Sequence, residues 1–204
     1  MSRPPATPEQ REDRRRQIRR AAYELFSEGG HAAVTARSVA ERAGVSPGHI
    51  YNYFDSLSDL MRSLWSQPAA AFGRQLVAAA EAEPDPLARI HTLLETLATY
   101  LDANPDMLRG AYLFVRNATM PAADVQPLED VTFHRLLRDA VAEGQATGVI
   151  REGDPDHLAQ LLWSGLHGAV GLPVNVDRFA LAPAADITPQ MIELLMAWVE
   201  APVG

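Results

Sequence analysis

The polar side chains best suited to binding chemistry lie close together in the chain, between Thr35 and Tyr53. Arg37 carries a planar guanidinium that can form two parallel hydrogen bonds with a guanine edge. His49 can donate a hydrogen bond to a base acceptor such as guanine N7. The candidate binding side chains are those of Thr35, Arg37, Ser46, His49, Tyr51 and Tyr53, and Gly48 allows a close approach of the backbone. These residue types favour contact with nucleic acid.

Two hydroxyl residues in this segment can act either as helix caps or as phosphate contacts. Thr35 precedes a short apolar-periodic segment, and Ser46 precedes Pro47, a residue that is tolerated in the first turn of a helix. The same position puts a hydroxyl beside a positive helix N-terminus, which suits a phosphate oxygen. Capping alone would explain both residues, so both interpretations stay open.

Three helices must position these side chains. The first is predicted over Arg14–Gly29, the second runs from Thr35 to Gly44, and the third runs from Pro47 to about Tyr53. A glycine between two short helices allows the sharp reversal of a helix-turn-helix, whose last helix can enter a major groove. The residues predicted to face inward are Ile18, Ala21, Ala22, Leu25, Phe26, Val39, Ala40, Val45, Ile50 and Phe54.

The segment from Arg19 to Leu60 resembles the DNA-binding domain of the TetR (tetracycline-repressor-like) family of bacterial transcriptional regulators. The matching residues are AAYELFSEGG, Thr35, VAERAGVSPGHIYNYF and Leu60. The resemblance implies base contacts by the turn Pro47-Gly48-His49 and matches Arg37 to a base-contacting arginine of some members. It implies phosphate or sugar contacts for Tyr51 and Tyr53, with burial as the alternative, more so for Tyr53.

One position departs from the family pattern. Members commonly carry a lysine directly after the serine that follows Tyr-Phe, whereas Leu57 stands there in this chain. An arginine run can supply phosphate contacts instead, or it can pair with Glu9, Glu12 and Asp13. The run consists of Arg11, Arg14, Arg15, Arg16, Arg19 and Arg20.

Charge is distributed unevenly along the 204 residues. The net charge is -8, but residues 1–62 hold ten arginines and eight acids, whereas residues 63–204 hold eight arginines and eighteen acids. An acidic body is repelled by DNA, so DNA contact is expected from the first part alone. We therefore predict a DNA-binding domain over 1–62 and a ligand-binding and dimerisation domain over 63–204.

The rest of the chain is also predicted to be helical, giving an all-α protein of about nine helices. A long helix starts at Ser56 or Ser58 and runs towards Glu83. An irregular loop is predicted from Leu172 to Ala182. The later helices are predicted over Pro86–Ala103, Pro105 to about Ala118, Val125–Thr147, Pro155–Gly171 and Pro189–Glu200.

The last two predicted helices are strongly apolar. The first has an apolar face of Leu158, Leu161, Leu162 and Leu166, interleaved with small residues such as Gly165. In the TetR family such helices form a four-helix dimer interface, so the resemblance implies a homodimer; a monomeric core is the alternative. The segment from Trp163 to Gly168 resembles the Trp-His-Gly motif of one subgroup.

The resemblance also implies an effector pocket among the middle helices. Its candidate lining residues are Trp65, Phe72, His91, Tyr112, Phe133, Trp163 and His167. Further candidates are Tyr100, Met107, Phe114 and His134, with Arg116 as an anion partner if it faces inward. Each can instead be ordinary core, and Trp163 and His167 can be a packed pair at i, i+4 spacing. Such walls suit a largely apolar effector.

Other classes of protein are disfavoured. No motif of catalytic or metal-ligand spacing occurs, and there is no cysteine, so no enzyme activity, metal or cofactor is predicted. No signal sequence or membrane span is recognisable, which predicts a cytoplasmic protein. We expect a ligand-responsive homodimeric repressor that binds a palindromic operator in double-stranded DNA. An effector-independent DNA-binding protein or activator is the alternative, and an enzyme of unknown type is a distant third.

Overall fold

The computed structural model describes residues 7–112, 128–176 and 178–202, except for the side chains of 65–67 and 109–112. Within these ranges the chain forms nine α-helices, one short 3-10 helix at Leu128–Asp130 and an isolated antiparallel bridge between Ile150 and Glu200. The prediction of an all-α fold is confirmed. The helices are α1 (Pro8–Ala33), α2 (Ala36–Ala43), α3 (Pro47–Ile50), α4 (Leu57–Ala82), α5 (Pro86–Ala103), α6 (Pro105–Tyr112), α7 (Thr132–Ala146), α8 (Pro155–Asn175) and α9 (Ala184–Val199).

Helix α1 begins six residues earlier than predicted because Thr7 caps its N-terminus. The Thr7 hydroxyl accepts from the backbone N–H of Gln10, and the Gln10 side chain accepts from the backbone N–H of Thr7. This reciprocal pair satisfies two N–H groups that a helix start leaves unbonded. The predicted break is confirmed at Gly29 and Gly30, where the dihedral angles are not helical.

Helices α8 and α9 each contain an internal proline. Pro173 was predicted to lie beyond the end of α8, and Pro189 was predicted to begin α9. α8 continues past Pro173 to Asn175, so the predicted loop from Leu172 is wrong over its first residues. α9 starts at Ala184 and includes Pro189. A proline inside a helix removes one N–H donor. The Asn175 side chain donates to the Gly171 carbonyl at 2.8 Å, which adds a hydrogen bond in the last turn of α8.

Two other boundaries also differ from the prediction. α3 ends at Ile50, and the residues from Tyr51 to Tyr53 form a turn. α7 begins at Thr132. The start of α4 is capped by Ser56, whose hydroxyl accepts from the N–H of Asp59. The predicted helical residues 113–118 and 125–127 lie outside the described residues.

The chain divides into two compact units, Met1–Ala70 and Ala71–Gly204, and the division falls inside α4. The first unit has its own core, in which Val39, Ala40, Ile50 and Phe54 are buried as predicted and Val45 is half-buried. The predicted inner face of α1, from Ile18 to Phe26, is also buried there.

The second unit has a separate core formed by side chains from α4 to α9. α8 makes close packing contacts with α9, because a Cβ on Gly165 would lie 2.9 Å from Leu195 Cδ2. Among the helices that the structure describes, none has both the length and the apolar content that spanning a bilayer requires.

Candidate nucleic-acid interface and ligand site

The reversal between α2 and α3 is built on Gly44. Its backbone is left-handed, with φ 65° and ψ 37°, a conformation that costs a residue with a Cβ about 1 to 2 kcal/mol. The N–H of Val45 donates to the Ala40 carbonyl at 2.9 Å, which closes the end of α2. The chain therefore turns sharply and presents α3 beside α2.

The first turn of α3 is open to solvent. Ser46, Pro47 and Gly48 are exposed, His49 is half-buried and Ile50 is buried in the core. A Cβ built on Gly48 would meet nothing within 4 Å, so another molecule can approach the backbone closely there. Ser46 occupies the predicted N-cap position before Pro47, but its hydroxyl makes no capping hydrogen bond.

Thr35 and Arg37 lie at the start of α2. The Thr35 hydroxyl accepts from the Ser38 N–H at 3.0 Å, which confirms its capping role. Arg37 is exposed and has no hydrogen bond or ion pair within the described ranges. By contrast, Arg42 at the other end of α2 hydrogen-bonds Glu28 and lowers the pKa of that carboxyl. The guanidinium of Arg37 is therefore available to an outside partner.

Two arginines of α1 hold the turn that follows α3. Arg15 donates to the Tyr53 carbonyl at 2.7 Å, and its guanidinium lies over the Phe54 ring, 4.6 Å from the centroid. Arg11 donates to the Asn52 carbonyl at 3.4 Å and lies over the Tyr53 ring. Sequence reasoning missed this role, since the partners are 38 and 41 residues apart.

The other arginines of the run bond to neighbours on α1. Arg16 pairs with Asp13, Arg19 with Glu12 at 2.6 Å and Arg20 with Glu24 at 2.9 Å. Arg14 donates to Gln17. The interpretation of the run as partly ion-paired is confirmed, with Glu24 as a partner that was not predicted.

The turn after α3 contains Tyr51, Asn52 and Tyr53, and the last two of these residues contact the His49 ring. Tyr53 is half-buried and meets His49 edge to face, with 5.2 Å between ring centroids. The Asn52 amide nitrogen lies 3.4 Å from Nδ1 of His49. Tyr51 is 52% exposed. The turn thus orients His49 and leaves Tyr51 accessible.

Three of the predicted effector residues come together in the second unit. Phe133 and His167 both meet the Trp163 ring edge to face, at 5.9 and 5.4 Å between centroids. His134, fully buried, lies against the same indole. Within the described residues, Nε1 of Trp163 and Nδ1 of His134 are buried without a hydrogen-bond partner, which is costly and uncommon. We call these four residues the aromatic cluster.

The remaining predicted effector residues do not join this cluster. Phe72 stacks on Tyr100 at 3.9 Å, and burial raises the pKa of the Tyr100 phenol. His91 was expected to line an interior pocket, but its side chain is 44% exposed and lies 3.4 Å from a Glu95 carboxylate oxygen. It occupies the outer side of α5 because the core-facing positions are taken by residues such as Ile90 and Leu94. The side chains of Trp65 and Tyr112, and the residues Phe114 and Arg116, lie outside those described.

An apolar surface remains exposed on α8 and α9. Leu161, Leu172 and Leu194 are 40%, 53% and 63% exposed. Leu161 was predicted to share one apolar face of α8 with Leu158, Leu162 and Leu166; the latter three are buried, and Leu161 is exposed. Gly168 is exposed, and a Cβ there would meet nothing within 4 Å. Leu161, Gly168, Leu172 and Leu194 form what we call the α8–α9 face.

Burial of His167 makes stability depend on pH. Burial lowers the pKa of its imidazole below the ordinary value of 6.5, against a weaker opposing effect of a backbone hydrogen bond at Trp163. As pH falls through 6.5 the unfolded chain binds the proton first, so the free energy of unfolding falls until the pKa of the folded state is passed. As pH falls below about 7.5, the wild type should lose stability relative to His167→Gln, by at most about 1.4 kcal/mol per pH unit.

Urea unfolding of the two proteins at several pH values measures this difference, and the titration of other groups cancels in the subtraction. A difference that stays constant across the range would contradict the assignment.

A helix-turn-helix with an open first turn on α3 and an unpaired arginine on α2 is the arrangement of a DNA-binding domain. Residues 18–64 match the model of the family described as bacterial regulatory proteins, tetR family. The chain is 29% identical over 158 residues to the transcriptional repressor KstR of Mycobacterium tuberculosis, covering 76% of this chain and 68% of that protein. Residues 18–64 are therefore a TetR-family DNA-binding domain, and the chain is a DNA-binding transcriptional regulator.

Solved structures extend the likeness over the second unit. A TetR/AcrR-family regulator from Thermobifida fusca is 26% identical with a TM-score of 0.62, covering 90% of this chain and 97% of that one. The regulator FadR of Bacillus subtilis, solved with stearoyl-CoA, is 20% identical with a TM-score of 0.71, covering 90% and 98%. The FadR likeness concerns the fold alone.

Proposed function

We propose that this protein is a homodimeric repressor that releases a palindromic operator when a small-molecule effector binds in its second unit. The observation that carries the DNA-binding mode is the unpaired Arg37 at the start of α2, together with the open backbone of Gly48 in the first turn of α3. We place these residues, with Thr35, the residues from Ser46 to His49 and the two tyrosines, at the DNA. The protein acts in the cytoplasm.

Each residue of this surface has a task that fits its environment. α3 enters the major groove, where His49 reads a base acceptor and Gly48 allows close approach. Arg37 reads a guanine edge. The exposed hydroxyls of Ser46 and Tyr51 contact phosphates, which fix the register of the domain on the duplex. Because Leu57 stands where family members commonly carry a lysine, the phosphate contacts come from these hydroxyls and from helix N-termini.

Dimerisation is supported by the α8–α9 face. Its three leucines are exposed in the single chain, and Gly168 allows a second backbone to approach. A twofold axis through this face repeats the same contacts on both protomers. Two α3 helices then enter successive major grooves, about 34 to 36 Å apart.

Effector binding is supported by the aromatic cluster. Trp163 offers a buried N–H donor and His134 a buried ring nitrogen, both without partners among the described residues, beside the apolar ring of Phe133. These groups suit a largely apolar effector that carries at least one hydrogen-bonding atom. We assign the second unit to the Trp-His-Gly subgroup because Trp163, His167 and Gly168 fit that motif.

The switch follows from linkage between two sites. The effector favours a conformer whose two DNA-binding units fit the operator poorly, and by reciprocity the operator weakens effector binding by the same factor. A regulator without an effector, or an activator, is the second candidate; the unsatisfied buried nitrogens of the aromatic cluster favour the first.

The test is selection of duplexes from random DNA with the purified chain. We expect a palindromic consensus that is bound saturably, with two protomers per duplex and with affinity that falls as salt rises. Compounds are then screened for release of the complex. No preference over random DNA at any salt concentration would refute the DNA-reading surface, and a selected site without symmetry would refute the dimer.

Arg37→Ala tests the assignment of base reading. We expect loss of preference at one operator position, by about 1 to 3 kcal/mol, because a bidentate contact with guanine is removed. The matched control is Arg20→Ala, an exposed arginine of α1 that pairs with Glu24. Binding is compared on the selected duplex and on duplexes substituted at each position. If Arg37→Ala weakens every duplex equally, Arg37 contacts phosphate and not a base.

A further inference from the structure

A groove of about 420 Å³ lies between α5, α8 and α9, lined by residues outside the aromatic cluster. Ala98, Val170 and Ile192 give it an apolar floor, and Pro189 borders it on α9. The sequence predicts no site here, because the lining residues come from three helices that are separated along the chain. None of the four residues of the α8–α9 face lines this groove, so the groove is separate from that face.

Two carboxylates on α5 border the groove. Glu95 and Asp102 are both exposed, and no lysine or arginine is among the lining residues. Seven residues of α-helix advance about 10 Å along the axis, so the two carboxylates stand about that far apart on the same side of α5. Asp102 makes no hydrogen bond or ion pair within the described ranges, and Glu95 is near His91 alone. The two carboxylates therefore attract cations to the groove at two points about 10 Å apart.

A threonine hydroxyl in the same groove lacks a partner. Thr188 on α9 is only 9% exposed, and its side chain forms no hydrogen bond in the part of the chain that the structure describes. Its oxygen is not among the fully buried side-chain atoms without a partner, so it can be reached from the groove. A ligand that carries an N–H group would supply the missing donor.

We propose that this groove binds a linear alkyl diamine. The two ammonium groups pair with Glu95 and Asp102, and the methylene chain covers Ala98, Val170 and Ile192. The Thr188 hydroxyl accepts a hydrogen bond from an ammonium N–H. A compound with one charge satisfies one carboxylate only, and a short diamine cannot reach both.

Calorimetric titration of the full chain with 1,8-diaminooctane at low salt tests the proposal. We expect saturable binding at one ligand per chain, weakened by added salt because the paired groups are exposed. Octylamine, with one ammonium, and 1,4-diaminobutane, with a short span, should each bind about threefold to tenfold more weakly. Equal binding of octylamine, or binding that does not saturate, would overturn the proposal.

Variants connect the binding to these residues. Glu95→Gln and Asp102→Asn should each weaken 1,8-diaminooctane by about threefold to tenfold, since each removes one exposed ion pair. Thr188→Val, which keeps the shape of the side chain, should also weaken it. Glu193→Gln is the matched control, because Glu193 is an exposed acid of α9 outside the groove. Equal effects of Asp102→Asn and Glu193→Gln would mean general attraction to an acidic protein and would overturn the site. The assay contains no DNA, so its outcome is separate from the proposed regulatory function.

Discussion

Gly48→Leu should lower affinity for the selected operator by more than about a hundredfold while leaving the protein folded. A major groove about 12 Å wide only just admits a helix, so an isobutyl group on the first turn of α3 holds the backbone away from the bases. Several contacts are then lost together, each worth about 1 to 3 kcal/mol, and a hundredfold loss corresponds to about 2.7 kcal/mol.

The same substitution should not destabilise the free protein. A Cβ at Gly48 meets nothing within 4 Å, and leucine is a better helix former than glycine by up to about 1 kcal/mol. Fluorescence anisotropy with the labelled duplex measures affinity, and urea unfolding measures stability. Ala78→Leu, at an exposed helical position of the second unit, is the control and should bind like the wild type. If Gly48→Leu retains affinity within about threefold, α3 does not enter the groove as proposed.

Leu194→Glu should convert the proposed dimer to monomers. Leu194 is 63% exposed in the single chain, so a glutamate there costs little in a monomer. In a dimer formed through the α8–α9 face, two carboxylates would be buried near the twofold axis without partners, at a cost of several kcal/mol. Light scattering during size exclusion should show a mass falling from twice 22.3 kDa to 22.3 kDa.

The monomeric variant should also bind the operator more weakly. Two linked DNA-binding units have an apparent affinity about a hundredfold or more above that of a single unit. Leu128→Glu is the control, because Leu128 is an exposed leucine outside α8 and α9. It should leave both mass and affinity unchanged. A Leu194→Glu protein that remains dimeric would place the interface elsewhere, and a wild type of 22.3 kDa in solution would refute the homodimer.

The helix-turn-helix was predictable because its signals are local. Thr35 caps α2 through Ser38, three residues away, and Gly44 ends it through contacts with the preceding turn. The apolar spacing of α1 and α2 marks which side is buried, since residues three and four apart share a helix face. Interactions of this range are encoded by the residues that make them, so the sequence alone specifies them.

Proline signals were less reliable than these caps. Pro86 and Pro155 begin helices as predicted, whereas Pro173 and Pro189 lie inside α8 and α9. The free-energy cost of one lost backbone hydrogen bond is outweighed by apolar burial where the rest of the helix packs against a core. α9 packs in this way through Ile192 and Leu195. The sequence reveals the local cost of a proline and not the packing that offsets it.

Which side chains meet across the fold was decided only by the tertiary structure. Arg11 and Arg15 hold the turn after α3 across 41 and 38 residues, so no spacing in the sequence indicates the contact. Leu161 and Leu162 are adjacent and equally apolar, yet one is exposed and the other buried, because the placement of neighbouring helices selects the buried side. Residues 18–64 thus determined the family match and the helix-turn-helix by themselves. The packing of the later helices decided the aromatic cluster, the α8–α9 face and the groove beside α5, since contact between distant segments depends on how whole helices pack.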